Sequence, residues 1–196
     1  MQSVSCNVAV AQSDGKITSA AVNTLGGSIT LSGSNQITSD GFGITAAADV
    51  SITGGETAVG SEEATLPTTA IYVFGGSLSV STGATLSVHA EIDENLKWAG
   101  YEESTNDYQY DGVQVNGGSL LVYGALNVAF TGLENDNSGD YSSQQIKSYA
   151  VRVEAASGGE TKVIIASGNI TNSVGGGIYV GGGEVTLGDS ENNSGT

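Results

Sequence analysis

The pattern glycine-glycine-x-apolar-x-apolar recurs along this chain. Among its occurrences are Gly26-Gly27-Ser28-Ile29-Thr30-Leu31, Gly75-Gly76-Ser77-Leu78-Ser79-Val80, Gly117-Gly118-Ser119-Leu120-Leu121-Val122 and Gly182-Gly183-Glu184-Val185-Thr186-Leu187. A glycine pair turns tightly because it carries no Cβ, and the alternation that follows sends every second side chain to one face of a short strand. The chain is therefore written as a series of corners and short strands. No helix-period segment of useful length interrupts it, apart from a short stretch around Ile92 to Leu96 that could form a turn of helix.

Taking the first apolar residue after each corner as a marker gives Ile29, Leu78, Leu120, Val163 and Val185; Val8 and Val50, the latter after Ala47-Ala48-Asp49 in place of a glycine pair, fill the remaining places, at spacings of 21, 21, 28, 42, 43 and 22 residues. A second series precedes the first by seven residues at Val22, Ile71, Val113 and Ile178, by six at Ile44 and by 12 at Val151. A third and weaker one follows: Ile17, Ile37, Val59, Leu86, Leu126 and Ile170. Three strands in a minimum period near 21 residues predict units that cannot bury their apolar faces alone and that stack on one another. Strands at the same place in successive units then run parallel, and the crossovers between them are right-handed.

Composition narrows the partners. With 21 acidic residues against five basic ones the net charge is -16, so the chain would repel nucleic acid and anionic lipid. No stretch is long and apolar enough to span a membrane, and no leader is visible at Met1-Gln2-Ser3-Val4-Ser5-Cys6. Thirty glycines would suit a disordered linker, but the regular Val, Ile and Leu triplets contradict that reading. The single cysteine, Cys6, cannot form an intramolecular disulfide and reads as a small apolar residue of a first strand.

The glycine-paired units, and phrases such as Gly175-Gly176-Gly177-Ile178-Tyr179-Val180-Gly181-Gly182-Gly183-Glu184-Val185-Thr186-Leu187, resemble the right-handed parallel β-helix repeats of bacterial cell-surface proteins described as adhesin-like or pectin-lyase-like. The likeness runs from about Val8 to Leu187. It implies an all-β chain forming a single-stranded right-handed parallel β-helix, a solenoid of about six to seven coils with three short strands per coil. Residues 1–196 would form one such domain, a piece of a longer exported chain. The scaffold is shared by lyases, hydrolases, carbohydrate-binding modules and plain stalks, so it leaves activity open.

The longer periods arise from insertions at 60–69, 89–111 and 131–148, all between the third strand of one unit and the first strand of the next, which predicts that they project side by side on one edge. They hold 12 of the 21 acidic residues, the only tryptophan, Trp98, and Tyr101, Tyr108, Tyr110 and Tyr141. Flat rings can stack on sugar faces, and carboxylates accept hydrogen bonds from hydroxyls; equally, the rings could fold back on the body while the acids keep the loops solvated. Beside this edge the outward positions of the first-strand triplets form a ladder that includes Tyr72, Gln114, Arg152 and Tyr179. Arg152, the only arginine, is either a ligand contact or the partner of Glu154 or Asp111.

Catalytic signatures are missing. The resemblance would require, for a hydrolase, adjacent aspartates with Gly-His-Gly and Arg-x-Lys, none of which occurs, and the sole histidine, His89, reads as a strand-end surface residue. For a lyase, Arg152 and Lys162 are the only bases in the second half, with no compact aspartate cluster facing them. No cofactor is expected. Calcium is the one ion for which donors stand at suggestive spacing, in Glu134-Asn135-Asp136-Asn137-Ser138-Gly139-Asp140, although an EF-hand loop would begin with Asp and end with Glu where this one has Glu134 and Gln145.

The expectation is a non-catalytic extracellular or cell-surface module that binds a polysaccharide or host glycan, or mediates adhesion. It would act as a monomer, or associate end to end through truncated ends. A structural stalk or spacer is the alternative, and a polysaccharide-active enzyme comes third.

Overall fold

The computed structural model describes residues 5–10, 16–17, 20–92, 97–98, 110–132, 148–156 and 159–188, with 5–10, 16–17 and 97–98 described as backbone. In chain order the strands are β1 (Ser5–Val10), β2 (Lys16–Ile17), β3 (Ala20–Thr24), β4 (Ile29–Leu31), β5 (Ser34–Ser39) and β6 (Phe42–Ala46). There follow β7 (Val50–Ile52), β8 (Gly55–Val59), β9 (Ile71–Val73), β10 (Leu78–Val80), β11 (Ala84–Glu91) and β12 (Lys97–Trp98). The last six are β13 (Val113–Asn116), β14 (Leu120–Thr131), β15 (Tyr149–Glu154), β16 (Lys162–Asn172), β17 (Gly176–Val180) and β18 (Glu184–Leu187). Among the described residues no helix is long and apolar enough to cross a membrane.

The chain is all-β and its strand pairs are parallel, but the expected solenoid of six to seven coils with three short strands each is corrected by the way the strands are shared out. They form two large sheets, one of ten strands and one of six in the order β17-β15-β13-β9-β6-β3, with a separate pair of β12 and β2. The second and third strands of each repeat are not separate layers: they belong to one sheet, which forks at β14. The first half of β14 pairs with β10 and its second half with β11.

The physical reason lies at Tyr123-Gly124, between the strands marked by Leu120 and Leu126, which the three-strand reading keeps separate. The backbone instead stays extended through a 12-residue strand, with a register shift between Val122 and Ala125 against β16. A bulge takes up the extra residues and bends the strand without ending it. Gly124 permits this because a Cβ there would collide with the carbonyl oxygens of Ala84 and Ser81 on the adjacent unit.

The first two marker series are paired in register. Ile29, Val50, Leu78, Leu120, Val163 and Val185 align strand to strand, as do Val22, Ile44, Ile71, Val113, Val151 and Ile178. The third series slips. Val59 pairs with Val88 instead of Leu86, Ile170 with Val128 instead of Leu126, and Ile17 with Trp98, while Val8 pairs with Ile37 and so belongs to this series and not the first.

The inward faces of both large sheets share one core. Val50, Leu78, Leu120 and Val163 from one sheet and Ile71, Val113 and Val151 from the other are fully buried. Each such side chain contributes about 1.5–3 kcal/mol relative to exposure. In the stretch 60–69 Glu62 to Thr65 are exposed, while Leu66 is buried in this core, bridged to Ala90, and its N–H donates to the His89 carbonyl at 3.1 Å. His89 itself is half-buried within β11, not a strand-end surface residue. The turn of helix considered near Ile92 to Leu96 falls mostly outside the described residues.

Candidate functional site

The outer face of the six-stranded sheet gathers the polar and aromatic side chains that the core excludes. In β9, β13 and β15 the alternation buries Ile71 and Val73, Val113 and Val115, and Val151 and Val153. The intervening residues therefore point away from the core. Parallel register aligns Tyr72 with Gln114, Gln114 with Arg152, and Arg152 with Tyr179. Thr45 continues the row beside Tyr72, and its hydroxyl donates to Asn23 Oδ1 at 2.8 Å.

Arg152 is enclosed. Its Nε donates to Asp111 Oδ2 at 2.6 Å and its Nη1 to Glu154 Oε1 at 3.2 Å. Its Cζ lies 4.8 Å from the Tyr149 ring centroid and 4.9 Å from that of Tyr179. The two rings, 5.1 Å apart at 42°, cover the guanidinium, so charge pairing and cation–π attraction act on the same group. Asp111 is fully buried and also accepts the Tyr149 N–H at 2.7 Å through Oδ1, while its own N–H donates to Thr69 Oγ1 at 3.1 Å. Burial raises the Asp111 carboxyl to about 6, against the opposing pull of Arg152 and the Tyr149 N–H. Burial works to lower the Arg152 pKa, but Asp111 and Glu154 overcome it and the guanidinium ends above its ordinary value.

Two aromatic clusters flank the amide-bearing strand β13. On one side Tyr72 lies 5.3 Å from Phe74 and 6.3 Å from Phe42. On the other stand Tyr149 and Tyr179. Between them Gln114 Nε2 donates to Asn116 Oδ1 and Asn116 Nδ2 to the Tyr72 hydroxyl, both at 3.4 Å. Phe74 is an exposed ring, and the Glu154 side chain is 40% exposed.

Of the residues singled out in the sequence, Tyr72, Gln114, Arg152 and Tyr179 come together on this face. Arg152, however, offers no free donor face to a ligand: its side chain is 6% exposed and it makes both of the carboxylate pairings considered for it. Tyr110 is also buried, packed with Phe42 and not displayed on a platform. The side chain of Trp98, together with Tyr101, Tyr108, Tyr141, Glu134, Asp136 and Asp140, lies outside the described residues. The backbone of Trp98 pairs with Ile17. Among the described residues no three His, Cys, Asp or Glu side chains are grouped to hold a metal ion.

Sequence reasoning missed Phe74, Asn116 and Tyr149. Two of these were within reach, because Phe74 and Asn116 stand two residues beyond Tyr72 and Gln114 and share their outward parity. Tyr149 precedes Arg152 by three, a spacing that alternation would place on the other face, so no sequence signal marked it.

Chemically the face can stack and accept hydrogen bonds. Among the described residues Asp111 is sealed from solvent, Glu154 keeps one carboxylate oxygen on Arg152 while its side chain is 40% exposed, and His89 belongs to the other sheet. The chain matches no family model, no curated protein and no solved structure, so its resemblance to adhesin-like and pectin-lyase-like proteins rests on the repeat phrases alone.

Proposed function

We propose that the protein is a non-catalytic module, displayed at a cell surface as part of an exported chain, that binds carbohydrate on the outer face of its six-stranded sheet. The observation that carries this reading is the registered row itself: aromatic rings at both ends, amides between them, all on strands held by a common core. Neighbouring parallel strands are about 4.8 Å apart, so Tyr72 and Tyr179, three strands apart, are separated by about 14 Å. An extended oligosaccharide could lay apolar ring faces on the two clusters and direct hydroxyls to Gln114 and Asn116. Because the side chains stand on strands and not on loops, their spacing is fixed before the ligand arrives.

Isothermal titration with a panel of soluble oligosaccharides, neutral, acidic and amine-bearing, tests the reading. Saturable binding that Phe74→Ala weakens about tenfold would support it, since losing a stacked ring removes roughly 0.5–1.5 kcal/mol beyond the area it covers. Silence across the panel at millimolar concentrations would reject it in favour of a spacer.

A further inference from the structure

Beside Tyr179 the outer face carries a small built recess. Gly181 follows β17 and is exposed, and a Cβ placed on it would sit 3.4 Å from Glu154 Cγ and 3.4 Å from Tyr179 Cε1. The glycine is thus a floor bordered by a carboxylate on one side and an aromatic ring on the other. Its position is fixed from below, because the Gly181 N–H donates to the Val153 carbonyl at 2.9 Å. Glu154 Oε1 receives Arg152, whereas the described structure gives Oε2 no partner, and the side chain is 40% exposed.

The charge around this recess has one sign to offer. The strands of the six-stranded sheet contain a single cation, Arg152, whose charge is met by Asp111 and Glu154 and whose faces are covered by Tyr149 and Tyr179. An acidic sugar laid on this face would find no available cation among the described residues of these strands and would confront Glu154. An ammonium group would meet the reverse: a carboxylate, the Cε1 edge and hydroxyl of Tyr179, and a strongly acidic protein around it.

Resting on the carbohydrate-binding reading, we infer that the face selects amine-bearing glycans, with a free sugar ammonium seated over Gly181 between Glu154 and Tyr179. N-acetylated sugars of the same backbone bind less tightly because the acetyl group removes the charge, and uronic acids bind least. The Glu154 carboxylate supplies the discrimination, and the Tyr72–Phe74 cluster supplies stacking common to all three classes.

The test uses hexosamine oligosaccharides of one length in free-amine and N-acetylated form, with a uronic acid oligosaccharide as the third ligand, titrated into the whole chain at physiological salt. The free amine should bind about fivefold more tightly than its N-acetylated counterpart, a preference that shrinks as salt is raised. Glu154→Gln should erase the preference and retain N-acetylated binding, whereas Glu56→Gln, which removes the same charge from the ten-stranded sheet, should preserve it. Gly181→Leu fills the floor without changing charge, at a backbone position with no positive φ, and should also erase the preference. Equal affinities for the amine and N-acetylated ligands, or equal losses in Glu154→Gln and Glu56→Gln, would overturn this inference and leave glycan binding intact. Failure of all three ligands to bind would overturn both.

Discussion

The strand after Gly117-Gly118 and the strand after Gly182-Gly183 share one sequence pattern and have opposite fates. Leu120 and Val122 are completely buried, whereas Val185 and Leu187 are 45% and 62% exposed. Nothing in either strand decides this. β14 has β10 and β16 on its two sides, while β18 has only β16. Burial in this fold is set by neighbours, so the same triplet is core in one place and surface in another.

The largest effect that can break this comparison is a charge in each place. Leu120→Asp puts a carboxylate among apolar side chains with no partner and should cost more than about 5 kcal/mol, enough to unfold a domain of ordinary stability. Val185→Asp should cost less than about 1 kcal/mol, because the new group stays in water. Urea unfolding of the two variants would show it, and similar losses in both would mean that a further layer covers β18 in solution.

A buried charge already present sharpens the comparison. The Asp111 carboxyl is raised to about 6 from an ordinary 3.8, so between those values the folded chain holds a proton that the unfolded chain has released. Its contribution to stability is then full below about pH 4 and declines as pH rises through about 6, by up to about 3 kcal/mol. Asp111→Asn lacks this titration. The stability difference between wild type and variant should therefore narrow from acidic to neutral pH in chemical denaturation, and a widening difference would reverse the assigned direction.

A smaller effect comes from two glycines. A Cβ on Gly118 would collide with the Gly76 carbonyl of the adjacent row, which is backbone and cannot swing aside, whereas one on Gly177 meets nothing within 4 Å. Gly118→Ala should lower stability by about 2 kcal/mol by forcing rows apart. Gly177→Ala should raise it by about 0.5 kcal/mol through the unfolded chain. Thermal melts of the pair would resolve effects of this size, and equal shifts would deny that row spacing is what Gly118 protects.

The same distinction between local pattern and neighbours explains what was legible in the sequence. Alternation after a glycine pair, or after Ala47-Ala48-Asp49, is a local signal, and it located Val50, Leu78, Leu120 and Val163 in register. The third series lacked a fixed corner, so its two-residue slips at Val88 and Val128 keep side-chain parity and leave no trace in the pattern. Nothing at Tyr123-Gly124 distinguishes a glycine that turns the chain from one that permits close approach, and that ambiguity hid the union of two strand rows into one sheet. At the candidate site, parity was enough to align Tyr72, Gln114, Arg152 and Tyr179. Asp111 stood beside Glu154 as a candidate partner of Arg152, but nothing in the sequence showed that this carboxylate would be buried and also accept the Tyr149 N–H from 38 residues away.

The two described ends of the connection between β14 and β15 meet at one spot. A Cβ on Gly132 would strike the Ser148 side chain; the Gly132 N–H is held by Asn172 Oδ1 at 3.2 Å, and the Ser148 carbonyl accepts the Gly176 N–H at 2.9 Å. Both ends are thus tied to the unit that follows. Ends held together in this way form a socket, because the entropy cost of closing a loop grows only slowly with its length and the strands on either side take their register from their own neighbours.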